Sequence, residues 1–250
     1  MIIEYHRPKK LDEALKLLER KQPVTVPLGG GTVLNAPSDE QVAVVDLQNL
    51  ELDGINQAGS TLKVGAAASL QSLLDTPELA EALVKAIKHE ATHNLRQSGT
   101  IAGALVSGDG RSPFLTAMMA LDAQLVWQPG DAKQALGEFV PLRAEQRPGL
   151  LISEVQFSLG TRLAYEYVAR SPADKPVVCV AVARWPSGRT RIVLGGYGAV
   201  PITALDGEEL DGADEVVEYA LISAQDQWAS AEYRIDAAKT LVGRCLQALK

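Results

Sequence analysis

Two glycine-bearing turns hold the residues best suited to chemistry: Leu28-Gly29-Gly30-Gly31-Thr32 and Gly99-Thr100-Ile101-Ala102-Gly103. Each adjoins apolar, strand-like sequence, so each sets main-chain N–H groups at the rim of a sheet. Glycine has no Cβ, which opens positive φ and lets a ligand come close to the backbone. Successive N–H groups in such turns point into one concavity and make an anion site, typically for phosphate. Two such turns suggest one ligand with two phosphates held between separate segments. Glycine clusters also serve as plain turns. Neither run is the G-x-G-x-x-G fingerprint or the G-x-x-x-x-G-K-[ST] loop, so the reading rests on the pair.

A second pattern, His89-Glu90-Ala91-Thr92-His93, matches H-E-x-x-H. On one helix face the two imidazoles would ligate zinc, with Glu90 as general base. The chain has only 3 histidines, and His6 is remote in sequence, so a third ligand would have to be a carboxylate. The Gly99 turn follows closely and leaves little room for a continuing helix. Chance spacing at a helix end is the better reading.

Composition narrows the classes. At 250 residues the chain can bury a large core. Its net charge of −7, without a basic cluster, argues against nucleic acid as the main partner. No apolar run approaches the ~20 residues that span a bilayer. Met1 to Pro8 lacks the layout of a signal peptide, so a cytoplasmic protein is expected. The only cysteines, Cys179 and Cys245, exclude a disulfide framework or an iron–sulfur cluster of the chain's own.

The elements that must position the turns follow from periodicity. Residues 1–55 read as a small α/β unit: strands at Ile2–Tyr5, Val24–Leu28 and Val42–Leu47, and a helix over Lys10–Glu19 with Leu11, Ala14, Leu15 and Leu18 on one face. Residues 56–159 form a second unit. It holds strands at Thr61–Ala66, Ala123–Trp127 and Leu150–Phe157, and a helix over Phe114–Leu121. Another helix starts at Pro77, with Leu79, Leu83, Ala86 and Ile87 as its stripe. Residues 160–250 form the third, with strands at Leu163–Ala169, Val177–Ala183 and Thr190–Gly195 and helices over Ala213–Ala224 and Ala231–Leu249. Pro186-Ser187-Gly188-Arg189 turns the middle strands into a hairpin. Cys179 and Cys245 read as core residues.

The order of short motifs along the chain resembles the flavin (medium) subunit of molybdenum hydroxylases such as carbon monoxide dehydrogenase and xanthine dehydrogenase. Tyr5-His6-Arg7-Pro8 with Leu11 to Leu15 is similar to that family's opening, and Pro27 to Leu34 to its first pyrophosphate loop. Val45-Asp46-Leu47, Val64-Gly65-Ala66, Leu95 to Gly103 and Ala120 to Ala123 continue the likeness. Ala164-Tyr165-Glu166, Ala169-Arg170, Pro172-Ala173-Asp174, Gly195-Gly196 and Glu232-Tyr233-Arg234 carry it through the C-terminal part. The resemblance implies an α+β protein. Its FAD-binding domain would be of the para-cresol methylhydroxylase type, made of two α/β subdomains, followed by an α+β domain like the C-terminal one of the carbon monoxide dehydrogenase flavoprotein.

It also implies a role. Electrons from an iron–sulfur (ferredoxin-like) subunit would reduce FAD and pass to an acceptor, with substrate oxidised on a molybdopterin-binding large subunit. Leu28, Gly29, Gly30, Gly31, Thr32, Val33 and Leu34 would surround the pyrophosphate and ribityl chain, mainly through main-chain N–H groups. Gly99, Thr100, Ile101 and Gly103 would form the second loop, with Ser107 and Ser112 as nearby hydroxyl donors. Leu151 or Ile152 would pack near the adenine or the isoalloxazine, and Tyr165 or Tyr167 would approach the ring. No catalytic side chain is implied.

Three positions depart from the family pattern. Its second loop carries Gly-Gly-Asn where this chain has Ala102-Gly103-Ala104, and its Asp falls on Pro113, a place that Asp109 fills only if the loop is shifted. An Asn offers donors and an acceptor that Ala104 lacks. These losses motivate an alternative: a non-catalytic structural subunit that keeps the fold and partner surface without the flavin.

Overall fold

The computed structural model describes residues 1–143, 145 and 147–250. Their contacts divide into two compact units whose segments interleave: 1–75, 93–107 and 124–156 in the first, and 76–92, 108–123 and 157–250 in the second.

The first unit carries two sheets. Strands β1 (Ile2–His6), β2 (Thr25–Leu28) and β3 (Val42–Asp46) form a parallel sheet in the order β1-β3-β2, beside helix α1 (Leu11–Leu18). The middle strand β3 is the apolar one, Val42-Ala43-Val44-Val45, because both its flanks are paired and its faces covered. Ala14 and Leu18 of α1 pack with Val45, Leu47 and Leu151, so a 3.6-residue stripe meets a strand face. The second sheet runs β4-β5-β8-β6-β7, from β4 (Ile55–Ala58), β5 (Thr61–Gly65), β6 (Gln124–Gln128), β7 (Ala132–Ala135) and β8 (Leu151–Ser158). Short helices α2 (Leu70–Leu74), α4 (His93–Ser98), α5 (Ile101–Ser107) and α7 (Leu136–Phe139) complete this unit.

The second unit is an antiparallel sheet β12-β11-β10-β9, from β9 (Arg162–Val168), β10 (Val178–Arg184), β11 (Thr190–Gly195) and β12 (Ile202–Gly207). Val178, Val180 and Val182 of β10 pack with Val217 and Leu221 of α8 (Ala213–Leu221) and with Leu241, Val242 and Cys245 of α9 (Ala231–Ala248). Cys179 turns the other way, 3.7 Å from Thr116 Oγ1 of α6 (Pro113–Ala120). Two covered faces explain why this strand has no polar alternation. Each such fully buried aliphatic side chain stabilises the fold by about 1.5–3 kcal/mol. Arg234 of α9 is 1% exposed, yet its guanidinium donates to the carbonyls of Val177, Ala224 and Ala229 and to Asp226.

Two expectations need correction. The helix expected from Pro77 begins at α3 (Glu81–Glu90), because Glu78 adopts φ 68° and breaks the chain direction there. That leaves Leu79 outside the helix. The H-E-x-x-H run is divided as well: α3 ends at Glu90, Ala91 is extended, and His93 opens α4. The shared i, i+4 face that zinc would need is not formed. His89 instead faces the Tyr165 hydroxyl at 3.3 Å and the Asp174 carbonyl at 2.8 Å.

Candidate functional site

Strand β2 ends at Leu28 opposite Asp46, and the glycine turn leaves the sheet from that end. Gly31 adopts φ +68°, and the chain then closes one helical turn with Asn35 N bonded to the Gly31 carbonyl at 3.1 Å. Such a turn leaves its leading N–H groups without intrachain acceptors. The main-chain N–H groups of Gly29 to Leu34 indeed have no acceptor among the described residues. They form a ready anion cradle.

The second turn meets the first. A Cβ on Gly30 would lie 1.6 Å from the Ser98 carbonyl oxygen, and one on Gly29 would lie 2.6 Å from Thr100 Oγ1. Only glycine allows this approach. The two turns nevertheless differ in what they offer. Gly99 N donates to Leu95 O, Ile101 N to Ala68 O, Ala102 N to Ala66 O, and Gly103 N to Thr100 Oγ1. The reason is local: the segment bridges back to Ser69 and then winds directly into α5, which uses its donors internally. The second turn therefore buttresses the first and shapes a wall, while the first carries the free donors.

Between and beyond them lies a cavity of about 820 Å³, lined wholly by residues of the first unit. That volume suits a large organic ligand. Of the residues expected at the site, Gly29 to Leu34, Thr100, Gly103, Ser107, Leu151 and Ile152 line it. Leu28 ends β2, Ile101 is fully buried, and Gly99 accepts from Leu70 N, so these three support the wall rather than face the cavity. Ser107 Oγ donates to the Gly103 carbonyl at 2.7 Å, inside its own helix.

Asp109, Ser112 and Tyr165 belong to the second unit. Asp109 pairs with Lys175 at 3.1 Å. Ser112 caps α6 by accepting from Leu115 N and donates to Glu90 at 2.6 Å. Burial pushes the Glu90 carboxyl above the usual carboxylate range, against the Ser112 and Phe114 hydrogen bonds that favour its ionised form. Burial likewise raises the Tyr165 hydroxyl, and Tyr167 stacks beside it at 5.7 Å. Pro113 takes the first position of α6, where its missing N–H costs nothing.

Several lining residues carried no sequence signal. Arg20, Lys21, Arg143 and Arg147 line the cavity, with Glu145 as the only lining carboxylate among the described residues, which leaves it electropositive. Arg20 also pairs with Glu4 at 2.8 Å. At one end Trp127 and Phe139 meet edge to face, with centroids 5.3 Å apart. The indole N–H of Trp127 is sealed from solvent and has no hydrogen-bond partner among the described residues, an omission that costs about 1–3 kcal/mol.

These features fit a dinucleotide with a flat ring system and a diphosphate. The first-turn N–H groups would serve phosphate oxygens, cations line the same cavity, and its apolar walls would take rings. Residue 102 is compatible as alanine in conformation, since it lies in α5 without a positive φ. Its methyl group borders the cavity.

The comparisons with known proteins agree in kind. Residues 1–157 match the family described as FAD binding domain in molybdopterin dehydrogenase. The chain is 29% identical to the protein YgfM of Escherichia coli (strain K12), over 94% of this chain and 91% of that one. It is 27% identical to the carbon monoxide dehydrogenase medium chain of Hydrogenophaga pseudoflava, over 98% and 96%. The solved structure of reconstituted CO dehydrogenase from Oligotropha carboxidovorans is similar with a TM-score of 0.80 at 25% identity, covering 98% of this chain and 96% of that one.

Proposed function

Because the chain belongs to the family of FAD-binding medium subunits of molybdenum hydroxylases, we propose that it retains FAD in the cavity of the first unit and relays electrons. The observation that carries this reading is the run of N–H groups from Gly29 to Leu34 without an acceptor among the described residues, pressed against the Ser98–Gly99 backbone and the Thr100 side chain in the lining of an electropositive cavity. Hydrogen bonds to a charged phosphate contribute about 1.5–3 kcal/mol each, so a few of them hold the cofactor without a covalent link. Gly29, Gly30, Gly31, Thr32, Val33 and Leu34 position the diphosphate. Thr100, Gly103 and Ser107 shape the opposite wall, and Leu151 and Ile152 shield the cofactor's apolar surface from water. Asp109, Ser112 and Tyr165, the other residues expected at the site, lie in the second unit, where Asp109 pairs with Lys175 and Ser112 and Tyr165 are buried. The protein's task is positioning and tuning; bound FAD supplies the redox chemistry itself.

In this reading electrons reach FAD from an iron–sulfur subunit and leave for an acceptor, while a molybdopterin-binding subunit oxidises the substrate. The chain then works in a hetero-oligomer. Among the described residues no helix is long and apolar enough to cross a membrane. The three domains read at 1–55, 56–159 and 160–250 each hold nearly all of one sheet, while residues 76–92 and 108–123 of the middle one group by contacts with the C-terminal part.

One observation favours the second reading, a structural subunit without flavin: the donors of the second turn are consumed within the protein. Thermal denaturation with added FAD separates the two. A ligand at a hundred times its Kd stabilises the folded state by about 2.7 kcal/mol, which for a chain of this size raises Tm by about 5–11 °C. A colourless protein whose Tm ignores FAD would instead be the structural subunit.

A further inference from the structure

The charge of this chain is concentrated in one place. Residues 206–218 hold seven of its 31 carboxylates and none of its 24 lysines and arginines, so the rest of the chain is formally neutral and the net charge of −7 belongs to this stretch. Asp206 pairs with Arg189 and Arg191, and Glu218 pairs with Lys239 at 2.7 Å. Glu208, Glu209, Asp211, Asp214 and Glu215 are exposed and form no salt bridge among the described residues.

Helix α8 carries much of this charge and leaves one face open. Val217 and Leu221 turn inward to the core of the second unit. Tyr219, 80% exposed, and Ile222, 69% exposed, turn outward. Three residues apart, these two are neighbours on the helix surface, and Glu215 and Glu218 stand four residues before each of them. Exposed apolar area rimmed by charge marks a protein interaction site. Asp214 and Glu215 also lie four and three residues from Glu218, a like-charge spacing that weakens a free helix. Cations brought by a partner would remove that repulsion.

We infer that the outer face of α8 docks a partner protein whose lysine and arginine side chains surround an apolar recess for Tyr219 and Ile222. The inference rests on the hetero-oligomer reading above but not on flavin, since a structural subunit needs a docking face as much as an electron carrier does. Charge complementarity selects this occupant. A second copy of the chain would set the same carboxylates against these, and nucleic acid or an anionic membrane would be repelled. A partner without cations would leave the carboxylates at the rim desolvated and unpaired.

The test uses the complex that co-purifies with the full chain from its native host, with glycine ethyl ester coupled by carbodiimide as the probe of carboxylates. Asp214 and Glu215 should label about tenfold less in the complex than in the isolated chain, as expected of groups sealed in a docked interface. Tyr219→Ser with Ile222→Ser removes exposed atoms only. It should leave the Tm and FAD response of the isolated chain unchanged, yet weaken the partner about a hundredfold, as loss of two interface anchors does. Asp214→Asn with Glu215→Gln should weaken it about tenfold and flatten its salt dependence. Equal labelling in complex and isolated chain, or a complex indifferent to both double variants, overturns the inference and leaves the flavin reading standing. A chain that co-purifies with no partner overturns it as well. An α8-dependent complex whose medium chain ignores FAD supports the inference and refutes the flavin reading alone. The labelling uses wild-type protein, so it decides even if a variant does not fold.

Discussion

Replacing Gly30 by alanine puts the meeting of the two turns under direct strain. The new Cβ would lie 1.6 Å from the Ser98 carbonyl oxygen, where ordinary contact begins at 3.4 Å. The turns must part by about 1.8 Å, and because the obstacle is backbone no side chain can swing aside. Overpacking of this kind costs about 1–3 kcal/mol, or about 2–12 °C in Tm for a chain of this length. The displacement also carries N–H groups of the first turn out of hydrogen-bond range of a bound diphosphate. Losing one charge-assisted bond of about 1.5–3 kcal/mol weakens FAD about tenfold to a hundredfold. Gly137→Ala in α7 is the control, since its Cβ meets nothing within 4 Å. That change should leave Tm equal or slightly higher, by up to about 1 kcal/mol of helix propensity. The assay is thermal denaturation of each protein with and without FAD. If Gly30→Ala matches wild type in both Tm and FAD response, the close approach of the turns does not matter and the reasoning fails.

Three further outcomes follow from the same geometry. The double substitution Ala102→Gly with Ala104→Asn lowers apo stability by about 1 kcal/mol, since glycine enters helix α5, yet tightens FAD about tenfold; opposite signs in Tm and in titrated affinity are the check. Arg234→Met leaves the carbonyls of Val177, Ala224 and Ala229 and the carboxylate of Asp226 without their shared donor, and should cost about 3–5 kcal/mol in chemical denaturation. The folded-state pKa of Glu90 is raised above its unfolded value, so its contribution is full below the unfolded pKa and is lost as pH rises through the folded one. Glu90→Gln, which stays neutral, should therefore gain in Tm relative to wild type as pH rises from 5 to 8; a constant difference would contradict the assignment.

Much of this architecture was legible from residue order. Strands such as Val42–Asp46 and Thr190–Gly195, and the helix Ala231–Ala248, declare themselves by apolar periodicity because burial alone sets their pattern. The first glycine turn was legible for the same physical reason that it works, since no residue other than glycine tolerates a backbone 1.6 Å from a would-be Cβ. What stayed hidden depends on long-range placement. Strand β7, Ala132-Lys133-Gln134-Ala135, has no apolar alternation and exists because it pairs with β6. The second turn reads like the first in sequence, but its N–H groups are consumed by Leu95, Ala68 and Ala66, partners that only folding supplies. The cationic lining and the edge-to-face Trp127–Phe139 pair likewise come from separate elements with no shared motif. The interleaving of the two units follows from α3 and α6 packing in the second unit although they lie in the middle of the chain.

The most direct measurement is a crystal structure of the chain grown with FAD. The cofactor should lie in the first unit's cavity with its diphosphate oxygens about 2.7–3.2 Å from main-chain nitrogens between Gly29 and Leu34. A flavin bound elsewhere, or a diphosphate that bypasses that turn, would contradict the account at its root.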